Sequence, residues 1–413
     1  MKQQPRNILS RILTALLPVL ILFAGCMAKK EPLRVCVDLG YNSAGKSLLA
    51  ENFLTNAKDY GAPEDVELVV IPPEGEERKG AITQLRTELA AGKGPDLFII
   101  SASKEDGLFR FPEKAMERNT FLCLDEYIEN AGHMEWDKLS PVIMEAGRGR
   151  NGQYILPMSY SFPVTIYNGA SPRESLTRST TWQDMADSSD PLVRGAALMF
   201  DPYCVERIDS VFGKAADYAA EELLFSQEEL LNIYSSALEL EDALFQEELP
   251  ENRRLNIGVD FDSDEGVRNW DMRLAPVCSI SGGVTARITS WCAVNANTQR
   301  PEEAFLLLDI LMGKESQQYA GLYHAAMDGS VPVYEGLMTE EQPVQRWHMQ
   351  EEVYQQFLDA RDLITEAKFS TPLDNYLCAG YAGCQAVQLL GQGDIPHEVE
   401  EVYRQMSMEL AES

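Results

Sequence analysis

Leu85-Arg-Thr-Glu-Leu-Ala-Ala-Gly-Lys-Gly-Pro-Asp-Leu-Phe-Ile-Ile-Ser101 is the stretch from which the fold can be read. Its first part closes an amphipathic helix expected over residues 76–91, with Ile82, Leu85 and Leu89 on one stripe and Gly92 as the C-terminal stop. Its second part, Leu97-Phe98-Ile99-Ile100 after Asp96, is short and continuously apolar, as in a strand buried within a parallel sheet. Working outward, Val66–Ile71 reads as a strand stopped by Pro72-Pro73. Leu33–Leu39 reads as another, with Leu33, Val35, Val37 and Leu39 on one face, and a helical stretch from about Ser47 to Tyr60 lies between them. The order is βαβαβ, hence a parallel, doubly wound α/β sheet. Ligands of such sheets sit beyond the carboxyl ends of the strands. Here those ends are Gly40-Tyr41-Asn42, Pro72-Pro73 and Ser101-Ala102-Ser103.

Downstream, Phe121–Leu124 reads as a short strand followed by an acidic helical segment, and Gln153–Asn168 as a long extended run rich in Tyr, Ser and Pro, suited to a strand leaving one lobe for another. A helix is expected from Trp182, a strand over 196–200, and helix over 214–247. Strands are expected at Leu274–Ile280 and Ile288–Val294 around Ser281-Gly282-Gly283. Pro301 opens a helix with Ala304, Leu307, Leu308 and Leu311 buried and Gly313 at its end, and from Val344 the chain reads as mostly helical.

The N-terminus sets the compartment. Lys2, Arg6 and Arg11 precede the apolar run Ile12–Phe23, which is too short and too interrupted to span a bilayer, for which about 20 apolar residues are needed. Leu22-Phe23-Ala24-Gly25-Cys26 resembles the lipobox of bacterial lipoproteins. That resemblance implies a signal peptide over 1–25, lipidation of Cys26, a tether over 26–32, and a protein held at the outer face of the cytoplasmic membrane. Loss of the leader lowers the formal charge from −30 to −33. So acidic a chain, without a basic patch, argues against nucleic acid as partner. Seven further cysteines form no CxxC and cannot all pair, and the four histidines are isolated, which argues against zinc.

Two motifs mislead. Gly40-Tyr41-Asn42-Ser43-Ala44-Gly45-Lys46-Ser47 satisfies the P-loop pattern. An exported chain meets little nucleoside triphosphate, however, and a strand–loop–helix junction favours these residue types anyway. Asp260-Phe261-Asp262-Ser263-Asp264-Glu265-Gly266 places acids like a calcium loop, but its glycine comes one residue late and Asp271 stands at position twelve, so it reads as a solvated acidic turn. No Ser-His-Asp or Cys-His order stands out, and the carboxylates are too numerous for a hydrolytic pair to be picked out.

The Leu85–Ser101 stretch resembles the signature of extracellular solute-binding proteins of ABC importers, the group that includes maltose-binding protein. Asn151–Ser159 through Tyr167-Asn168 resembles that family's first crossover, Thr181-Trp182 the helix start after it, and Ala293–Ala304 the second crossover. The resemblance implies a two-lobed, type II periplasmic-binding-protein-like fold, each lobe a doubly wound sheet with flanking helices around a ligand cleft. It places lobe 1 at 33–157 and 295–343, and lobe 2 at 158–294 and 344–413. It implies a monomeric, non-enzymatic receptor without cofactor or metal that delivers a small solute, most often a sugar or oligosaccharide, to a membrane permease. The positions it marks for the ligand are Tyr41, Asn42, Ser101, Ser103, Tyr160, Phe162, Tyr203, Gly282, Gly283 and Trp291, with Ser159 and Ser161 beside them on the crossover. Tyr, Trp, Asn and Ser at strand ends supply flat faces and neutral hydrogen-bonding groups, as a sugar requires. A surface-anchored carbohydrate-active enzyme and a sensory receptor without transport stay open as alternatives.

Overall fold

A computed structural model describes residues 31–38, 54, 57–101, 107–169, 172–199, 206–245, 254–257, 272–318, 331–339 and 351–412. The lipobox, the P-loop lookalike, most of the stretch expected to be helical before Tyr60, and the acidic loop at 260–266 lie outside them.

β1 (Leu33–Asp38), β2 (Val66–Val70), α1 (Gly75–Ala90) and β3 (Leu97–Ser101) follow the expected order. β1 lies between β2 and β3 and is parallel to both, with Val35 opposite Leu68 on one side and Leu97 on the other. β3 is apolar from Leu97 to Ile100 because both of its faces are covered there, and these four residues are buried. α2 (Pro112–Glu117) follows, and then the extended run divides into β4 (Ile155–Ser161) and β5 (Pro163–Asn168). The second half of the chain forms α3 (Trp182–Ala186), α4 (Pro191–Ala196), α5 (Glu206–Phe212), α6 (Gln227–Phe245), β6 (Arg254–Ile257), β7 (Met272–Pro276) and β8 (Val284–Val294). It continues through α7 (Pro301–Met312), β9 (Val331–Pro332), α8 (Glu351–Arg361), β10 (Ile364–Lys368), α9 (Pro372–Leu390) and α10 (Ile395–Glu412).

The main sheet has the order β9-β4-β8-β3-β1-β2, with β10 also paired to β8. A second sheet, β6-β5-β7, is antiparallel. β8 is the long element that joins the parts: Ser290–Val294 pair with β3, whereas Val284–Arg287 pair in parallel with β10. One buried core gathers β1–β3, β4, β8 and α7, and a second gathers α3–α6, α9 and α10. Core membership changes between Cys278 and Val284 and again between Phe369 and Leu373.

Several local expectations are corrected. Residues 196–199 do not form a strand: α4 ends at Ala196, and side chains take up the backbone that follows, Trp182 Nε1 donating to Ala197 O at 2.7 Å and Arg207 Nη1 to Leu198 O at 2.7 Å. The expected helix over 214–247 begins only at Gln227, because residues 216–217 and 222–223 form a small antiparallel ladder. Phe121 makes an isolated bridge to Asn295 and not a strand. The C-terminal region contains β10, whose Ile364-Thr-Glu-Ala-Lys368 lacks an apolar alternation and is held by pairing to β8. Among the described residues no helix is long and apolar enough to cross a membrane.

Candidate functional site

The chain passes from the first core to the second at Ile166–Tyr167 in β5 and returns between Cys278 and Val284, and β4 and β8, which flank this crossing in the first core, pair irregularly. The register shifts between Ile288 and Ser290 and again between Ser290 and Trp291. Three adjacent strands bring serines into one row there: Ser101 of β3 opposes Ser290 of β8, which opposes Ser159 of β4. Ser159 Oγ lies 2.5 Å from Ser290 Oγ and 2.7 Å from Thr289 Oγ1. Ser161 Oγ, also buried, has no hydrogen-bond partner, one of three such side-chain atoms among the described residues. An unmet buried hydroxyl costs on the order of 1–3 kcal/mol, so this crossing holds capacity for a further polar contact. The row is neutral and offers both donors and acceptors; Ser159 and Ser290 are buried and bonded to each other, and Ser101, half-buried, is its accessible member. Sequence reasoning missed Thr289 and Ser290. The signal available was two consecutive polar positions, Thr289-Ser290, between Ile288 and Trp291 inside a predicted strand.

The expected aromatic positions sit differently. Tyr160 is buried and stacks on Phe162 at 6.5 Å between ring centres, Phe162 stacks on Phe357 at 5.1 Å, and Phe357 on Tyr354 at 6.2 Å. This file of rings packs β4 against α8, and burial pushes the Tyr160 phenol well above its usual range. Trp291 is 2% exposed, enclosed by Phe109, Phe121 and Phe369 with ring centres 5.7–6.0 Å away. In this structure these three side chains therefore serve packing, and the face they would present to a solute is covered.

Gly282 and Gly283 form a turn with φ of +97° and +69°. The turn is pinned on two sides: Gly283 N donates to Thr180 O at 2.9 Å, and Thr365 Oγ1 donates to Gly282 O at 2.8 Å. A Cβ on Gly283 would come within 2.4 Å of Thr365 Cγ2, so both backbone angle and space require glycine. Tyr41, Asn42, Ser103 and Tyr203 lie outside the described residues. The strand leading to Tyr41 ends on Asp38, which takes a paired contact from Arg78, Nη1–Oδ1 and Nη2–Oδ2 both 2.9 Å. Arg78 also donates to Pro72 O at 3.1 Å, so one guanidinium ties together the carboxyl ends of β1 and β2. Among the described residues no group of three or more His, Cys, Asp or Glu is placed to hold a metal ion.

No family model matches the sequence, and no curated protein matches it. Solved structures do match in shape. An extracellular solute-binding protein family 1 member from Alicyclobacillus acidocaldarius superposes with a TM-score of 0.62 at 15% identity, over 92% of this chain and 99% of that one. A periplasmic oligogalacturonide binding protein from Yersinia enterocolitica gives 0.62 at 12% identity, over 92% and 99%. A de novo designed cysteine esterase gives 0.59 at 12% identity, over 92% and 98%. The chain therefore has the two-lobed α/β fold of solute-binding proteins, and that fold carries binding in some proteins and designed catalysis in another.

Proposed function

We propose that this protein is a lipid-anchored extracytoplasmic receptor that captures a small polar solute, a sugar or oligosaccharide, and hands it to an ABC permease without altering it. The observation that carries the reading is the passage of the chain between two cores at Ile166–Tyr167 and again between Cys278 and Val284, next to the neutral hydroxyl row Ser101, Ser290 and Ser159 at the carboxyl end of β3. Strand ends where chains cross between lobes are where a hinged fold can enclose a ligand. Hydroxyls without a fixed charge suit a polyhydroxy solute better than an ionic one. The shape match to an oligogalacturonide binding protein supports the carbohydrate class, without bearing on the charge of the sugar. The remaining contacts are proposed to come from Tyr41, Asn42, Ser103 and Tyr203.

A thermal-shift screen across sugars, polyols and peptides tests this, since a solute that binds only the folded state raises the melting temperature, by about 2.7 kcal/mol of added stability at a hundredfold excess over Kd. A neutral carbohydrate should produce the shift, and chromatography after long incubation should recover it unchanged. A shift only with charged peptides, or turnover of the sugar, contradicts the proposal. Anchoring has its own test: Cys26→Ser should leave the protein unprocessed or release it from membranes. Membrane retention and processing equal to wild type would remove the lipid anchor.

A further inference from the structure

Residues 107–117 run back and forth between the two cores. Arg86 on α1 fixes the start of this segment, Nη2 donating to Gly107 O at 2.7 Å and Nε to Leu108 O at 3.2 Å. Leu108 and Met116 are buried in the first core, whereas Phe111, between them, is buried in the second, with its ring 5.8 Å from that of Tyr218. Arg110 Nη2 lies 2.8 Å from Glu409 Oε1 of α10. Lys114 Nζ bonds to Leu410 O and, at 2.9 Å, to Glu221 Oε1. Helix α2 is thus attached to one lobe by its C-terminal end and to the other by its N-terminal end.

Glu113, in the first turn of α2, is 7% exposed, and its Oε2 has no hydrogen-bond partner. The groups facing it are Lys214 after α5, Tyr218 and Asp374 of α9, on the side of the second core, and Lys368 of β10, on the main sheet. Lys368 is already committed, 2.7 Å from Asp374 Oδ1 and 3.5 Å from Asp209 Oδ2 of α5. Lys114, next along α2, points its ammonium to Glu221 and Leu410 O. Ser370 Oγ, beside this network in sequence, is likewise buried without a partner. An ionised Glu113 would therefore be buried without a dedicated cation, next to a group that already holds two carboxylates against one ammonium.

We propose that α2 and its lead-in form a proton-dependent clasp between the lobes, engaged when the Glu113 carboxyl is neutral and released when it ionises and moves to water. Burial raises the Glu113 pKa from 4.5 to about 7, with Asp374 adding to the rise and Lys214 and Lys368 opposing it. The engaged state therefore holds a proton that the released state, with an ordinary carboxyl, gives up. Engagement is strongest below about pH 4.5 and weakens by up to tenfold per pH unit until about pH 7, where both states are ionised.

The test is small-angle scattering on the solute-free full chain between pH 5 and pH 8.5, with near-ultraviolet circular dichroism to show that the chain stays folded. The wild-type radius of gyration should increase with pH up to about pH 7 and then level off, while Glu113→Gln, uncharged at every pH, should stay at the compact value throughout. If Glu113→Gln fails to fold, Glu113→Leu carries the same expectation. A wild-type particle of constant size, or an uncharged variant that expands with pH as the wild type does, would overturn the clasp. No solute is needed, so the outcome is independent of what the cleft binds.

Discussion

Trp291→Ala is expected to destabilise the protein by about 3–5 kcal/mol, the range for removing a large buried aromatic. Its ring is 2% exposed and sits among Phe109, Phe121 and Phe369. Its backbone lies mid-sheet, opposite Ile100 on one side and Pro157 on the other. The surrounding strands are tied into the sheet and cannot collapse into the space, so a cavity remains and the cost falls toward the upper end. Urea unfolding should show a lower midpoint at an unchanged slope. A loss under 1 kcal/mol would mean that the ring is not held as described, and would return Trp291 to the list of exposed cleft aromatics.

Arg78→Ala should cost a comparable amount, about 3–5 kcal/mol, for a different reason. The substitution leaves Asp38, 3% exposed, as a buried carboxylate stripped of both its 2.9 Å contacts. The loss is therefore dominated by the stranded charge and not by the net worth of the pair. The double variant Asp38→Leu with Arg78→Met should recover most of the stability, because a buried ion pair and an apolar replacement of similar volume are close in free energy. A double variant as unstable as Arg78→Ala would show that the guanidinium matters mainly through its bond to Pro72 O.

The parts of the fold legible in the sequence are those set by local periodicity. α1 shows its stripe of Ile82 and Leu85, β3 its continuous apolar run, and α7 its Pro301 start and Gly313 stop. The Thr181-Trp182 helix start is likewise local, a capping box in which Thr181 and Asp184 satisfy each other's backbone N–H. What escaped depends on tertiary pairing. The stretch at 196–199 is as apolar as a strand, yet the indole of Trp182 and the guanidinium of Arg207 take its carbonyls. β10 has no strand pattern of its own and exists because β8 extends past β3 to meet it. For the candidate site, sequence placed Ser101 at a strand end and Ser159 on the first crossover, and the sheet register brings them into one row through Ser290. Aromatic burial was not legible. Nothing in the letters around β4 and β8 distinguishes a Phe162 or Trp291 facing a cleft from one facing Phe357 or Phe109, since the face is fixed by elements far away in sequence.

The measurement that bears most directly on the central claim is small-angle scattering at one fixed pH, with and without the carbohydrate found by the thermal screen. A receptor that encloses its solute between lobes should contract on binding, with one solute per chain and the sugar recovered intact. Saturating binding with no contraction, or loss of the sugar to products, would contradict the account of a hinged, non-catalytic solute receptor.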